Sequence, residues 1–297
     1  MTRAPLPLAL PATPAERAPA GRPALAWQAL RQRWACMGPR CQERNGLRAL
    51  WKLPARIQLQ QGWCCGPECF ETAFEQLARE QVRAAARREP HAHRIPLGLL
   101  LLSRGAIEQA QLRRALESRQ AEGGRIGEWL VRQGAASEDT IAAGVGLQWA
   151  RPLYPLAQSQ GWRQCLGWAP RALLETLRML PLHLAAAQHR LYVGFTQTVD
   201  YGALAALGAI YECETEACIV TDSALDAVFE QIRTAPDDDA VQEADFEKMS
   251  GATEIAGIVR QYARYAEARQ VRLAPAGPFL WVRIRGERVV HLTFRMS

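Results

Sequence analysis

An α+β chain is predicted by three observations: a helical repeat near the middle, short apolar strand-like runs after it, and a cysteine cluster ahead of it. The 297 residues, 48% apolar and 22% charged, suffice for two or three cores of ordinary globular composition. The expected architecture is a tandem-repeat helical subdomain followed by a small α/β subdomain. A zinc-finger-like segment precedes them, and a helix plus β-hairpin follows.

Residues 1–25 are rich in Pro and Ala without periodicity and are expected to be disordered. Their short apolar run is broken by prolines and has no clear cleavage site, so no signal peptide is expected. No stretch of about 18 uncharged apolar residues occurs, which argues against a membrane span. A cytoplasmic location is the expectation. The net charge of +6 is almost wholly arginine, since Lys52 and Lys248 are the sole lysines. The arginines are spread along the chain, a pattern of genome composition more than of one anion-binding surface.

Residues 26–90 hold five of the eight cysteines. Cys36-Met-Gly-Pro-Arg-Cys41 and Cys65-Gly-Pro-Glu-Cys69 form two knuckles separated by 23 residues. In a chain without an export signal such pairs point to metal before disulfides. A tetrahedral zinc held by Cys36, Cys41, Cys65 and Cys69 is expected, with Cys64 able to exchange for Cys65. The alternative is a set of buried or reactive free thiols. The last knuckle leads into a helix over 70–88, which resembles treble-clef-like fingers. Arg79, Arg83 and Arg87 share one face of that helix, but Glu75, Glu80 and Glu89 interrupt the charge. A solvated face is the reading, and nucleic-acid binding is not expected. His91 and His93 read as a hinge.

Residues 94–234 are the longest patterned region. The segments 96–119 and 125–148 superpose at an offset of 29, so that Gly98 falls on Gly127, Leu101 on Leu130, Gly105 on Gly134, Leu112 on Ile141 and Leu116 on Val145. Each copy predicts a short helix ending at a glycine suited to positive φ, then a second helix burying residues four apart. Ser137 is the expected N-cap of the second one. Beyond the repeat, a helix from Pro170, strands over 180–186 and 191–196, a helix over 201–211, a strand over 216–220 and a helix over 223–232 follow. His183 is expected to pack among aliphatics. The acidic run 235–250 reads as a linker, Asp237-Asp238-Asp239 being its solvated centre. In 251–297 a helix over 254–269 and strands are expected.

The two copies, R-L-G-x-x-L-x-x-x-G then L-x-x-x-L-x-x-Q with a five-residue spacer at 120–124, resemble the MshEN domain. That domain is the N-terminal module of type II secretion and type IV pilus assembly ATPases, many of which bind cyclic di-GMP. The elements after the repeat resemble the rest of the module. The resemblance implies that Arg125, Ile126, Gly127, Leu130, Gly134, Ile141, Val145 and Gln148 line one half of a cyclic di-GMP site. It implies that Leu97, Gly98, Leu101, Gly105, Leu112 and Leu116 line the other. The first copy departs from the pattern, with Pro96 in place of Arg and Arg119 in place of Gln. An Arg fork suits guanine O6/N7 or phosphate, and backbone N–H groups at a helix start suit phosphate. The bland alternative is that these glycines and leucines only pack helices. The module also implies a secretion or pilus assembly protein as partner.

Residues 253–294 are similar to the start of the second N-terminal domain of the same ATPases, with Val282-Arg283-Ile284-Arg285-Gly286 as the hairpin motif. No G-x-x-x-x-G-K-[ST] loop occurs, and neither lysine lies in such a context, so the motor is expected to be missing. No nucleophile elbow, H-E-x-x-H or Rossmann fingerprint is present either, and no catalytic residue is expected. The function implied is a non-catalytic regulatory or docking protein. The alternative is a zinc-finger nucleic-acid regulator with the repeat as accessory sensor.

Overall fold

The structure, a computed structural model, describes residues 35–41, 56–86, 94–234, 241–246 and 251–296. The expectations placed on residues 1–25, Arg87, His91, His93 and Asp237–Asp239 lie outside them. The architecture is α+β, with two sheets among the described residues. Among the described residues no helix is long and apolar enough to cross a membrane.

The chain enters as a small hairpin, β1 (Ile57–Leu59) and β2 (Gly62–Cys64), followed by helix α1 (Pro67–Ala86). The repeat gives α2 (Leu97–Ser103), α3 (Gln109–Glu122), α4 (Ile126–Arg132) and α5 (Glu138–Trp149). Its two copies end their first helices identically. Gly105 and Gly134 sit at φ +68 and +65, where a side chain would be strained. The next residues, Ala106 and Ala135, donate back to Leu101 and Leu130 at 3.0 and 2.9 Å, a Schellman closure. Ser137 Oγ accepts from Thr140 N at 3.2 Å and starts α5. The start of α3 uses a reciprocal pair not read from the sequence, Glu108 with Gln111. The four-apart stripe holds for Ile141 and Val145 but fails at Leu116, which is 44% exposed; Ala115 takes the buried place beside Leu112.

The α/β subdomain runs α6 (Arg171–Leu177), β3 (Met179–Ala185), β4 (Arg190–Phe195), α7 (Tyr201–Tyr211), β5 (Glu214–Ile219) and α8 (Asp222–Thr234). β3 and β4 pair antiparallel, and β5 adds parallel to β4 after the α7 crossover. His183 is exposed instead of packed, because the register of β3 shifts between Pro181 and His183 and turns its side chain outward.

The remaining elements are β6 (Val241–Phe246), α9 (Ala252–Tyr265), β7 (Gln270–Ala276), β8 (Phe279–Arg285) and β9 (Val289–Arg295). The run expected as a linker therefore contains a strand: β6 pairs parallel with β9 along its whole length. Its polar residues hid this, since an edge strand exposes alternate side chains. The two flanking segments, expected as separate units, also share one sheet of order β2-β1-β7-β8-β9-β6, with β1 parallel to β7.

Strands β7–β9 are covered on both faces. Val271, Leu273, Leu280, Val282, Val290 and Leu292 share a core with Phe70 and Phe74 of α1 and Ile255 and Val259 of α9. The alternate positions Ala274, Ala276 and Trp281 belong to the core of the repeat and α/β subdomain, with α7 lying on β7. On that same face Arg272, almost fully buried, donates to Ala209 O at 3.0 Å and pairs with Glu212, holding the C-terminal end of α7.

His291 completes this junction. Trp281 Nε1–H donates to its Nδ1 at 3.0 Å, so the ring proton sits on Nε2 and is donated to the Gly167 carbonyl at 2.9 Å. Burial, with Arg283 nearby, pushes its pKa down to about 3. The unfolded chain takes up this proton near 6.5. Stability from His291 is therefore fully present above pH 6.5 and is lost as pH falls toward 3, by at most about 1.4 kcal/mol per pH unit. His291→Gln should remove that part of the slope, as read from the difference between its denaturation midpoints and those of the unmodified protein across pH 3–7.

Candidate functional site

The second repeat copy forms one wall of a cleft of about 480 Å³ against the α/β subdomain. Arg125 stands exposed at its mouth, in extended backbone ahead of α4, with no side-chain capping bond. Gly127 lets α4 lie directly on α5: a Cβ there would meet Ile141 at 2.9 Å, and Ile141 itself lines the cleft. Gly98 is the counterpart in the first copy, where a Cβ would sit 2.5 Å from Leu112.

The opposite wall comes from three segments of the α/β subdomain: the residues between α6 and β3, those after β4, and the start of α8. Arg178, in left-handed backbone between α6 and β3, bonds Asp226 at 2.7 Å and Asp222 at 2.8 Å. Burial opposes its charge, but these carboxylates raise its pKa above the usual arginine value. Gln197 holds the other Asp222 oxygen at 2.7 Å. Thr196 Oγ1 and Arg178 Nε are buried and have no hydrogen-bond partner among the described residues. Buried polar atoms are rarely left so, and both belong to residues that line the cleft. Glu138 of α5 accepts from Ser223 at the start of α8, tying the two walls together. The cleft thus offers guanidinium groups for anionic oxygens and carboxylates for N–H donors.

The sequence-expected residues divide. Arg125, Gly127 and Ile141 line the cleft. Gly98, Leu101, Leu112, Leu130 and Val145 are buried in the repeat, and Leu97 and Ile126 pack against its core. Gly105 and Gly134 close turns, and Leu116 is exposed away from any cleft wall described above. Gln148 does not reach the cleft: its Nε2 donates to Ile95 O at 2.6 Å, fastening the chain ahead of α2. Arg178, Thr196, Asp222 and Asp226 were not read from the sequence. Arg178 and Thr196 lie on two connections and Asp222 and Asp226 on the first turns of α8, all downstream of the repeat, and no local pattern links them to it.

The structure brings Cys36, Cys41, Cys65 and Cys69 together, their sulfurs all within 4.8 Å of one another. The Cys41–Cys65 and Cys65–Cys69 separations are 3.5 and 3.6 Å. Four thiolates 2.3 Å from one zinc stand about 3.8 Å apart, so the donor set fits. Backbone N–H groups of Gly38 and Cys65 point at Cys36 Sγ, at 3.4 and 3.3 Å. Burial works against the Cys36 thiolate, yet these bonds bring its pKa below the usual value. Burial lifts Cys65 to about 11, and Cys69 also upward, in the metal-free state. A cation reverses that balance, because it binds the thiolate form. Cys64 faces the core from β2, fully buried and pushed up to about 12, and is not one of the four.

No protein-family profile matches the chain, and no curated protein matches it. Among solved structures it is similar to MshE with cdg, at 24% identity over 46% of this chain and 99% of that one, TM-score 0.40. It is similar also to the N-terminal domain of XpsE, at 20% identity over 52% of this chain and 94% of that one, TM-score 0.33.

Proposed function

We propose that this chain is a non-catalytic binding protein whose interdomain cleft takes a cyclic dinucleotide, cyclic di-GMP, and whose surface docks a secretion or pilus assembly protein. The observation that carries the reading is one cleft lined both by motif residues of the second repeat copy and by two residues that each keep a buried polar atom without a partner. Arg125 pairs with a phosphate or with guanine O6/N7, and Ile141 covers a base face. Asp222 or Asp226 accepts from the guanine N–H edge, and small side-chain shifts on binding let Thr196 Oγ1 and Arg178 Nε gain the partners they lack. Because the ligand touches both walls, its binding free energy holds the repeat against the α/β subdomain, and that altered junction is what a partner reads.

The four cysteines hold a structural zinc, which supplies folding energy to a segment too short for its own core. Isothermal titration of the full chain with cyclic di-GMP tests the nucleotide reading. Saturable heat at one ligand per chain supports it, and no heat at high ligand concentration leaves only the docking role. Purified protein should also show no ATP turnover above background, since no phosphate-binding loop is present in its sequence. A phosphate-release assay measures this, and turnover that co-purifies with the chain would refute it.

A further inference from the structure

A second cleft, of about 320 Å³, opens on the other side of the six-stranded sheet, where β1, α1 and the end of α9 converge. Phe70 and Ala263 form its floor, and four arginines ring it: Arg56, Arg260, Arg264 and Arg269. The fold fixes these positions. A tight turn with Glu267 at φ +48 follows α9, and Ala268 N–H returns to Ala263 O at 2.9 Å, setting Arg264 and Arg269 on one rim. The parallel pairing of β1 with β7, in which Gln58 N–H bonds Arg269 O at 2.9 Å, brings Arg56 alongside.

The acids nearby leave two of these charges, Arg264 and Arg269, without a bonded carboxylate among the described residues. Glu71 accepts from Arg260 at 2.7 Å, and Glu267 stands exposed at the rim. Arg264 and Arg269 are exposed and form no side-chain hydrogen bond or ion pair among the described residues, and Arg260 Nε is buried without a partner. Two exposed like charges on one rim, Arg264 and Arg269, repel one another, and a bound anion offsets that repulsion. Each guanidinium offers five N–H donors in a fixed fork. A single carboxylate cannot occupy several such forks, whereas a phosphoryl group presents three oxygens and a double charge. The volume suits a nucleotide-sized molecule or smaller, and the site is concave, unlike the open stripe that tracks a nucleic-acid backbone.

We infer that this cleft is a second anion site, which binds a small phosphate- or diphosphate-bearing molecule independently of the interdomain cleft. The test is titration of the full, isotope-labelled chain with inorganic pyrophosphate at constant ionic strength, followed by amide chemical shifts. Saturable shifts at Phe70, Ala268 and Arg269 are expected. The double variant Arg264→Gln/Arg269→Gln should weaken binding at least about tenfold, since two charge-assisted contacts are lost. Both side chains are exposed and their removal relieves repulsion, so the thermal midpoint should not fall. Shifts that do not saturate, that centre on Arg125 and Gly127, or that persist in the double variant would overturn the site. Displacement of pyrophosphate by a DNA oligonucleotide at a hundredfold lower concentration would reassign the surface to nucleic acid and overturn the small-molecule assignment.

Discussion

Cys69→Ser should unfold the cysteine segment and carry the six-stranded sheet with it. Elemental analysis of the unmodified protein should give one zinc per chain, and the variant none. A structural zinc contributes on the order of 10–16 kcal/mol of binding free energy, as much as or more than the whole stability of an ordinary domain, about 5–15 kcal/mol. Taken as a separate segment over 26–90, the cysteine region would confine the damage to itself. The shared core changes that: Leu59, Phe70 and Phe74 pack with Val271, Leu280 and Val282, so releasing α1 strips one face of β7–β9. The repeat, with most of its packing in the other core, should keep its helices. Hydrogen exchange on the variant reads this directly, with protection lost over 56–86 and 270–295 and kept over 126–149. Protein purified without chelators that contains no metal and has freely titratable thiols would refute the site.

Arg125→Ala should weaken cyclic di-GMP binding by about ten- to a hundredfold, the worth of one charge-assisted hydrogen bond of roughly 1.5–3 kcal/mol. Stability should not change, because Arg125 is exposed and caps nothing. Thr196→Val is the companion. It keeps the shape, removes an orphaned hydroxyl from the cleft wall, and should weaken binding several-fold without destabilising the unliganded chain. Gln148→Ala should act differently, lowering stability by loosening Ile95 more than by touching ligand. Calorimetry separates the three. Binding indifferent to both Arg125→Ala and Thr196→Val would place the nucleotide elsewhere.

Local signals were legible. Glycines before positive-φ turns, the Ser137 cap and the paired cysteines all announce structure within a few residues, and each holds in the fold. Element bounds in the α/β subdomain follow for the same reason. What stayed hidden depends on distant partners. The strand Val241–Phe246 looks like an acidic linker because its pairing energy comes from β9. The cleft wall at Arg178, Thr196 and Asp222 is assembled from three separate segments, and no spacing rule joins it to Arg125. Motif glycines were legible as positions but not as roles, since packing on Leu112 or Ile141 and lining a ligand demand the same small residue.

The parallel pairing of β1 with β7 has a consequence in time. Gln58 and Gln270, bonded side by side, are 212 residues apart. At synthesis rates of about 5–20 residues per second, the strand that completes the first knuckle's sheet emerges roughly 10–40 seconds later. During that interval the hydrophobic face of α1 has no partner, while the repeat and α/β subdomain can already close on contacts within themselves. Capture of a cation by the four early cysteines in that window would order the segment before its sheet exists. Refolding from denaturant should then be faster with zinc present from the start than with zinc added after the repeat has formed.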